Sequence, residues 1–201
     1  MQDEVLSGYA ASCGELIPRF ERFSSAELLR HVSDLLPDRP SWIADIGAGT
    51  GRDAAWLAQQ GHQVVAVEPV AELRRAGMDL HPEPGIEWLD DRLPALSRLR
   101  PRGPFDVVLL NGVWHHLEEE ERHIAMAAVA STTRRGGLLV MSLRHGPGAK
   151  DRPAYPLQAD DTIGLAANAG FDLVRRMETD SVQAANRAAG VWWTWLALRR
   201  A

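Results

Sequence analysis

A short apolar run that ends in a glycine-rich turn, Trp42 to Gly51, constrains the fold more than any other feature of this sequence. Buried parallel strands are continuous apolar runs, and a glycine turn is a common passage from such a strand into a helix. The same alternation of strand and helix patterns recurs along the 201-residue chain. It predicts an α/β fold in which a doubly wound, mostly parallel sheet has helices on both faces.

Seven strands are predicted in this way. Between the last two lies a polar stretch with no convincing crossover helix, so we expect them to pair antiparallel and to add an antiparallel last strand to the sheet. A long helix is predicted from Leu117 to Arg134 and should be stopped by Gly136 and Gly137. The predicted strands are Trp42 to Ile46, Gln63 to Val67, Ile86 to Leu89, Phe105 to Leu110, Leu138 to Leu143, Phe171 to Met177 and Val191 to Leu198.

The first forty residues carry apolar side chains at helical spacing and end at Pro37 and Pro40. A chain of this length forms one domain, so we interpret residues 1–40 as a helical lid on the domain formed by residues 41–201. A net charge of −5 argues against a nucleic-acid-binding surface. No apolar segment is long enough to span a membrane, and the N-terminus lacks the layout of a signal peptide, so we expect a cytoplasmic protein.

The turn after the first strand predicts a ligand site. In open α/β sheets, ligands bind beyond the carboxyl ends of the strands, and glycines there let the backbone approach them closely. Dinucleotide folds require glycine five positions after the first, where this chain has Arg52. The same Arg52 is a candidate for a ligand's carboxylate. The predicted binding residues of this turn are Asp45, Gly47, Ala48, Gly49, Gly51 and Arg52, with Asp45 acting by direct contact or by support of the loop.

Acidic residues close the next two strands. Glu68 ends the second, where a carboxylate can accept hydrogen bonds from both hydroxyls of a ribose, and Pro69 beside it opens the next helix. Asp90 and Asp91 follow the third strand, where one carboxylate could accept a hydrogen bond from an adenine amino group. These positions extend the predicted cofactor site across three strand ends.

In combination, these motifs resemble those of class I methyltransferases, especially the bacterial group with the type 11 methyltransferase domain. The match runs from about Trp42 to Leu143, and includes Phe105-Asp106-Val107-Val108, the segment from Asn111 to Leu117 and Arg134 to Leu139. The resemblance implies a Rossmann-like fold, S-adenosyl-L-methionine as cofactor, Glu68 on its ribose, Asp90 or Asp91 on its adenine, the glycine loop on its methionine moiety, and Asn111 beside its sulfonium.

Histidines are the candidate catalytic residues. Methyl transfer from a sulfonium needs alignment more than acid or base groups, but a hydroxyl or protonated amine acceptor benefits from a base such as histidine. His115 and His116 follow the fourth strand and His145 follows the fifth, all at the predicted ligand edge. The pair could instead cap a helix or pack beneath the cofactor. A metal site that includes His123 lacks supporting cysteine or carboxylate spacing.

The sequence therefore predicts a methyltransferase that acts on an O or N atom of a small-molecule acceptor. The alternatives are an RNA or protein acceptor and a catalytically inactive cofactor-binding module. A nicotinamide-dependent oxidoreductase is disfavoured by Arg52. The acceptor pocket would be built from loops and the N-terminal helices, so its chemistry depends on the tertiary structure.

Overall fold

The structure, a computed structural model, describes residues 3–201. Its seven strands form one sheet with the order β3-β2-β1-β4-β5-β7-β6, in which β7 is antiparallel to both of its neighbours. The predicted doubly wound sheet and its antiparallel last strand are confirmed. The strands are β1 Trp42–Ile46, β2 Gln63–Val67, β3 Ile86–Leu89, β4 Phe105–Asn111, β5 Thr133–His145, β6 Phe171–Asp180 and β7 Trp192–Arg200.

Eight helices accompany the sheet in the described part of the chain. No helix among residues 3–201 has the length and apolar character needed to cross a membrane. Single 3₁₀ turns lie at Ser33–Leu35, Arg100–Arg102 and Trp114–His116. The α-helices are α1 Asp3–Ala11, α2 Cys13–Glu21, α3 Ser25–Leu28, α4 Arg52–Gln59, α5 Ala71–Leu80, α6 Glu119–Thr132, α7 Ala159–Asn168 and α8 Ala184–Ala188.

Two apolar cores cover the two faces of the sheet. Successive strand residues point to opposite faces, so Ile43 of β1 packs in one core and Ala44 in the other. Both side chains are fully buried, as a strand covered on both faces requires. The central strands are therefore held rigidly, and their carboxyl ends give a fixed edge for a ligand site.

The prediction that glycines stop the helix after β4 was wrong. That helix ends at Thr132, and β5 begins at Thr133, which pairs with Phe105 before the register shifts. Gly136 and Gly137 lie within the strand, Gly136 with a φ of 72°. The extra residues form an irregularity in the ladder, a feature that residue types alone do not separate from a helix end.

The N-terminal helices pack over the carboxyl edge of the sheet, where the sequence predicts a lid. A small cluster formed by Cys13, Val70 and Leu73 joins them to α5 and the segment before it, with Tyr9 and Phe20 packed against it. The Sγ atom of Cys13 donates to the carbonyl oxygen of Tyr9 one helical turn earlier. The first two residues of the predicted lid, Met1 and Gln2, lie outside the described residues.

Candidate functional site

A cavity of about 460 Å³ opens between the N-terminal helices and the carboxyl ends of the strands. This is the edge at which open α/β sheets bind ligands. Ten of the predicted site residues line it, and four others, Gly51, Asp90, Asp91 and His145, do not. Those that line the cavity are Asp45, Gly47, Ala48, Gly49, Arg52, Glu68, Pro69, Asn111, His115 and His116.

The glycine turn after β1 adopts a backbone that side chains resist. Gly47, Gly49 and Gly51 have φ angles of 75°, 59° and 76°. A Cβ atom on Gly47 would collide with Val113, and one on Gly51 would lie 2.6 Å from the ring of Trp88. The turn therefore needs glycine for conformation and for space. Gly51 does not line the cavity because it caps α4 and packs against Trp88.

Glu68 fastens the same turn. Its Oε2 accepts a hydrogen bond from the Gly49 amide and its Oε1 one from the Val70 amide, each at 2.8 Å. The side chain is almost fully buried, and burial raises the pKa of its carboxyl group to about 7 against the opposing effect of the two amides. Glu68 is thus a buried carboxyl group at the end of β2, and its pKa of about 7 lies near neutral pH.

Asp45 carries a polar atom with no partner. Its Oδ2 is buried and accepts no hydrogen bond from any residue that the structure describes. Burial, then the neighbouring Asp53 carboxylate, raise the pKa of Asp45 well above its ordinary value. A buried carboxylate oxygen without a donor is costly to leave unsatisfied, so a cationic group in the cavity would find a ready partner there.

Arg52 and Asn111 belong to one hydrogen-bonded network centred on Asp53. The Arg52 guanidinium donates from Nε and Nη2 to Asp53 Oδ1, each at 2.9 Å, and from Nη1 to the carbonyl oxygen of Phe20. The Asn111 amide donates to Asp53 Oδ2 at 2.8 Å, while its Oδ1 accepts from Ser142. Arg52 therefore lines the cavity with its donors already engaged, which leaves it less suited to bind a ligand's carboxylate than the sequence alone indicates.

The two acids after β3 have different surroundings. Asp91 is buried, and its carboxylate accepts hydrogen bonds from the backbone amides of Arg92, Arg98 and Leu99. It shapes the following loop. Asp90 is about half exposed and lies 3.4 Å from Arg74. Of the two, Asp90 is the more exposed, although neither residue lines the cavity as it stands.

His116 joins the carboxyl edge of the sheet to α1. Its Nδ1 lies 2.7 Å from the carbonyl oxygen of Pro153, which can only accept, so this nitrogen carries the proton. Its Nε2, 2.9 Å from the hydroxyl of Tyr9, is then the acceptor of that hydroxyl's hydrogen. Burial lowers the pKa of His116 to about 4 and raises that of Tyr9 to about 12, so both groups are neutral near pH 7.

His115 lines the cavity beside His116. The two rings lie 4.1 Å apart between centroids, and Trp193 meets His115 edge-on at 6.2 Å. Nδ1 of His115 is buried and has no hydrogen-bond partner among residues 3–201. Burial, then the adjacent His116, lower the pKa of His115 well below its ordinary value, so the ring is a neutral imidazole.

His145 is turned away from the cavity. Its Nε2 lies 2.8 Å from the hydroxyl of Thr194, and its ring stacks on Trp192 at 3.7 Å between centroids. The predicted catalytic candidates are therefore separated by the fold: His115 and His116 share the cavity, and His145 packs on β7. Residues 3–201 contain no cluster of three metal-ligating side chains.

The sequence patterns did not identify several residues that line the cavity. Trp193 and Trp195 of β7 line it, although aromatic residues of a last strand are more often packing residues. In the antiparallel pairing, Trp193 lies opposite Arg144, so the beginning of β7 reaches the edge at which the parallel strands end. The predicted antiparallel direction of the last strand was the signal that could have found Trp193. Arg144 and Arg19 also line the cavity, and no motif marks them.

Comparisons with known proteins agree with this geometry. A family model described as "Methyltransferase domain" matches residues 44–141. An uncharacterized methyltransferase of Alkaliphilus oremlandii (strain OhILAs) is 31% identical over 124 residues, which are 61% of this chain and 54% of that protein. A ubiquinone biosynthesis O-methyltransferase of Bradyrhizobium sp. (strain ORS 278) is 34% identical over 100 residues, 50% of this chain and 38% of that protein. The matches thus span about half or less of these relatives.

A solved structure resembles almost the whole chain. It is the 1,6-didemethyltoxoflavin-N1-methyltransferase of Burkholderia thailandensis, with bound 1,6-didemethyltoxoflavin and S-adenosylhomocysteine. The TM-score is 0.72 at 24% identity, and the superposition covers 98% of this chain and 87% of that one. At this identity the likeness concerns the fold, and it includes the N-terminal helices as well as the sheet.

Proposed function

We propose that this chain, whose residues 44–141 match the methyltransferase-domain family, uses S-adenosylmethionine to transfer a methyl group to an oxygen or nitrogen of a small-molecule acceptor. The observation that carries the proposal is the convergence of the glycine turn and two buried acids, Asp45 and Glu68, on one cavity. The N-terminal helices roof that cavity and serve as its lid.

The cavity residues fit this cofactor. Asp45 offers an unpartnered carboxylate oxygen to the ammonium group of the methionine moiety. Glu68 can accept from two ribose hydroxyls by exchanging its bonds to backbone amides for bonds to the ligand. The turn from Gly47 to Gly49 lets the backbone contact the methionine moiety closely. Asp90 is half exposed, whereas the Asp91 carboxylate is held by backbone amides of its own loop, so Asp90 is better suited to the adenine amino group.

A residue that follows β4 would receive the proton that the acceptor releases. When bound, S-adenosylmethionine supplies an electrophilic methyl group whose bond to sulfur breaks as the bond to the acceptor forms. An acceptor hydroxyl must release its proton as its oxygen attacks the methyl group, whereas an ammonium must release one beforehand so that its nitrogen has a free electron pair. His115 is a neutral imidazole on the cavity wall and can receive it, whereas the Nε2 of His116 already accepts a hydrogen bond from Tyr9. His115 is therefore the proposed base, and His116 the residue that positions the lid.

A small acceptor is favoured over a macromolecule for two reasons. The lid helices cover the cavity, and the chain has a net charge of −5, which repels nucleic acid. Two similar proteins, the ubiquinone biosynthesis O-methyltransferase and the 1,6-didemethyltoxoflavin-N1-methyltransferase, are named for small molecules. An RNA or protein acceptor and an inactive cofactor-binding module are the alternative outcomes of the experiments below.

Calorimetry with S-adenosylmethionine tests the cofactor site. We expect Glu68→Ala to lower the affinity at least about tenfold, since it removes the acceptor of two hydrogen bonds. Glu72→Ala is the matched control, because Glu72 is an exposed acid on α5 that pairs with the exposed Arg75. Unchanged affinity in Glu68→Ala would sink the assignment of this site.

A second experiment tests the transfer. Methyl-labelled cofactor is incubated with the protein and, separately, with small-molecule extracts, total RNA and protein. Label in the small-molecule fraction supports the proposal. Label only in RNA or protein favours the macromolecular alternative, and cofactor binding without label in any fraction favours an inactive module.

A further inference from the structure

A guanidinium group without an anionic partner lies in the cavity. Arg144 is partly buried near the end of β5, and its one hydrogen bond to another group is a 3.3 Å contact from Nη1 to the carbonyl oxygen of Gly146. No carboxylate of residues 3–201 forms an ion pair with it within 4 Å. Burial lowers the pKa of Arg144, which reflects the loss of hydration around its charge.

The other arginines of the cavity wall have a carboxylate partner or are exposed to water. Arg52 is paired with Asp53 at 2.9 Å and Arg152 with Asp151 at 2.7 Å. Arg30 and Arg19 are exposed, so water solvates their charges, and Arg19 also donates to the amide oxygens of Gln183 and Asn186. Arg144 is the one cavity arginine, within the described chain, that combines partial burial with the lack of a carboxylate partner.

The position of Arg144 assigns it to the acceptor half of the cavity. In the sheet order, β5 lies beyond β4, on the side of β1 opposite to β2 and its Glu68. Burial is the largest cause of the pKa shifts of Tyr9, His115 and His116, and Arg144 is among the charged groups that contribute to each of the three, alongside others such as Arg152 for Tyr9 and His116. Arg144 is therefore a neighbour of the proposed base and lies on the far side of the glycine turn from the proposed ribose site.

We propose that the methyl acceptor carries a carboxylate group and that Arg144 binds it. The inference rests on the proposed function for the identity of the ligand as an acceptor. A planar guanidinium fork matches the two oxygens of a carboxylate, and the interaction gains strength where the cation is already partly desolvated. Trp193, opposite Arg144 in the β5–β7 ladder, and His115 present rings to the same space and would contact a planar acceptor body.

A carboxylate fits better than a phosphate ester. One partly buried guanidinium balances one negative charge, whereas a phosphate dianion would require a second free cation. Arg152 is not free, because its Nη1 is committed to Asp151 and contacts the carbonyl of Gly8. Arg19 is exposed and engaged with amide oxygens. The geometry around Arg144 therefore selects a monoanion.

The test uses the full chain saturated with S-adenosylhomocysteine, so that binding is measured without turnover. The probes are benzoate, acetate, their neutral amides benzamide and acetamide, and phenyl phosphate. Binding is followed by titration calorimetry and by the NMR resonance of the Arg144 Nε–H group, assigned by its disappearance in Arg144→Lys. We expect the acids to shift this resonance and benzoate to bind at least about tenfold more tightly than benzamide.

The Arg144→Gln variant should lose at least about tenfold in benzoate affinity while its affinity for S-adenosylhomocysteine changes less than twofold. Arg100→Gln, which alters an exposed arginine outside the cavity, should change neither. Should Arg144→Gln fail to fold, the comparison of acids with amides on the wild-type chain decides alone.

Equal binding of benzoate and benzamide, absence of binding by both acids, or a preference for phenyl phosphate would each overturn the inference. These outcomes are distinct from failure of the proposed function. If the wild-type chain does not bind S-adenosylhomocysteine, the cofactor site itself is contradicted. If it binds S-adenosylhomocysteine but neither acid, only the carboxylate site is contradicted.

Discussion

The hydroxyl of Tyr9 donates to Nε2 of His116 across 2.9 Å, and this bond joins the first helix of the lid to the segment that follows β4. The rings also meet edge-on, with centroids 5.5 Å apart. The proton on Nδ1 is fixed by the carbonyl of Pro153, so His116 is held in a single neutral form. The lid is thus attached to the cavity by a polar contact that depends on the protonation state of one histidine.

Removal of this hydroxyl should loosen the lid. Tyr9→Phe leaves the Nε2 of His116 without its donor, so we expect a loss of about 1 to 2 kcal/mol in the free energy of unfolding, measured by urea denaturation. Tyr155→Phe serves as the control, because the hydroxyl of Tyr155 bonds to the exposed Glu118. Equal stability of Tyr9→Phe and the wild type would contradict a stabilising role for the bond.

The stability of the protein should depend on pH through His116. Its pKa is about 4 in the folded chain, below the ordinary value of 6.5, so between these values the unfolded state binds the additional proton. The His116 contribution is therefore complete above about pH 6.5 and is lost as pH falls towards 4, by roughly 3 kcal/mol in all. The lowered pKa of His115 has the same effect, since it also makes the folded chain less stable as the pH falls.

Glu68 opposes this trend, because its folded pKa of about 7 lies above the ordinary 4.5 and its stability contribution falls as pH rises between them. Asp45, whose pKa burial also raises, acts in the same direction as Glu68, so the histidine effect is best measured in a Glu68→Gln, Asp45→Asn background. There, denaturation midpoints that stay constant between pH 4.5 and 6.5 would disprove the assignment. Adding His116→Gln should reduce the remaining slope and leave the contribution of His115.

Cofactor affinity should also vary with pH. Ribose hydroxyls donate hydrogen bonds, and the ionised Glu68 carboxylate accepts them more strongly than its protonated form. With a pKa of about 7 in the cavity, we expect the Kd for S-adenosylhomocysteine to rise as pH falls below 7, by up to about tenfold per pH unit, and to be flat above it. Calorimetry from pH 5.5 to 8.5 measures this. Glu68→Gln should bind weakly at every pH, and a Glu68→Gln profile that keeps the wild-type slope would assign the proton to another group.

The glycine turn offers a matched pair of substitutions. Gly51 and Gly61 both have positive φ, but a Cβ on Gly51 would lie 2.6 Å from Trp88, whereas one on Gly61 meets nothing within 4 Å. Gly61→Ala should cost about 1 kcal/mol from backbone strain alone. Gly51→Ala should cost about 3 kcal/mol, because steric overlap adds to the strain. Urea denaturation compares them, and equal losses would show that Trp88 moves aside freely.

The lid has a second attachment at Ser25. Its hydroxyl donates to Asp53 at 2.6 Å, in the buried network that also holds Arg52 and Asn111. Ser25→Ala should reduce the free energy of unfolding by about 1 kcal/mol and speed amide hydrogen exchange in α2 and α3. Ser33→Ala, which removes an exposed hydroxyl, is the control. Exchange rates that match the wild type would place the lid's anchorage elsewhere.

The order of strands and helices was determined by sequence patterns that are local. Strands β1, β2, β4 and β5 each contain an apolar run because both of their faces are buried, and the glycine turn and Glu68 follow two of those runs directly. The carboxyl ends of parallel strands share one edge of the sheet, so the residues of the cofactor site could be predicted from their position after a strand. Helix and strand limits were less certain around Gly136, where an irregular strand and a helix end use the same residues.

Contacts between distant segments were decided only by the tertiary structure. Sequence gives Arg52 as a free cation beside the loop, and the fold surrounds it with Asp53 and the carbonyl of Phe20. Three neighbouring histidine candidates become one proposed base, one lid contact and one residue packed on β7, because hydrogen-bond partners from residues 9, 153 and 194 reach them. Arg144 acquires its significance in the same way: a charge is unpaired or paired according to what the folded chain brings near it, and no local pattern encodes that.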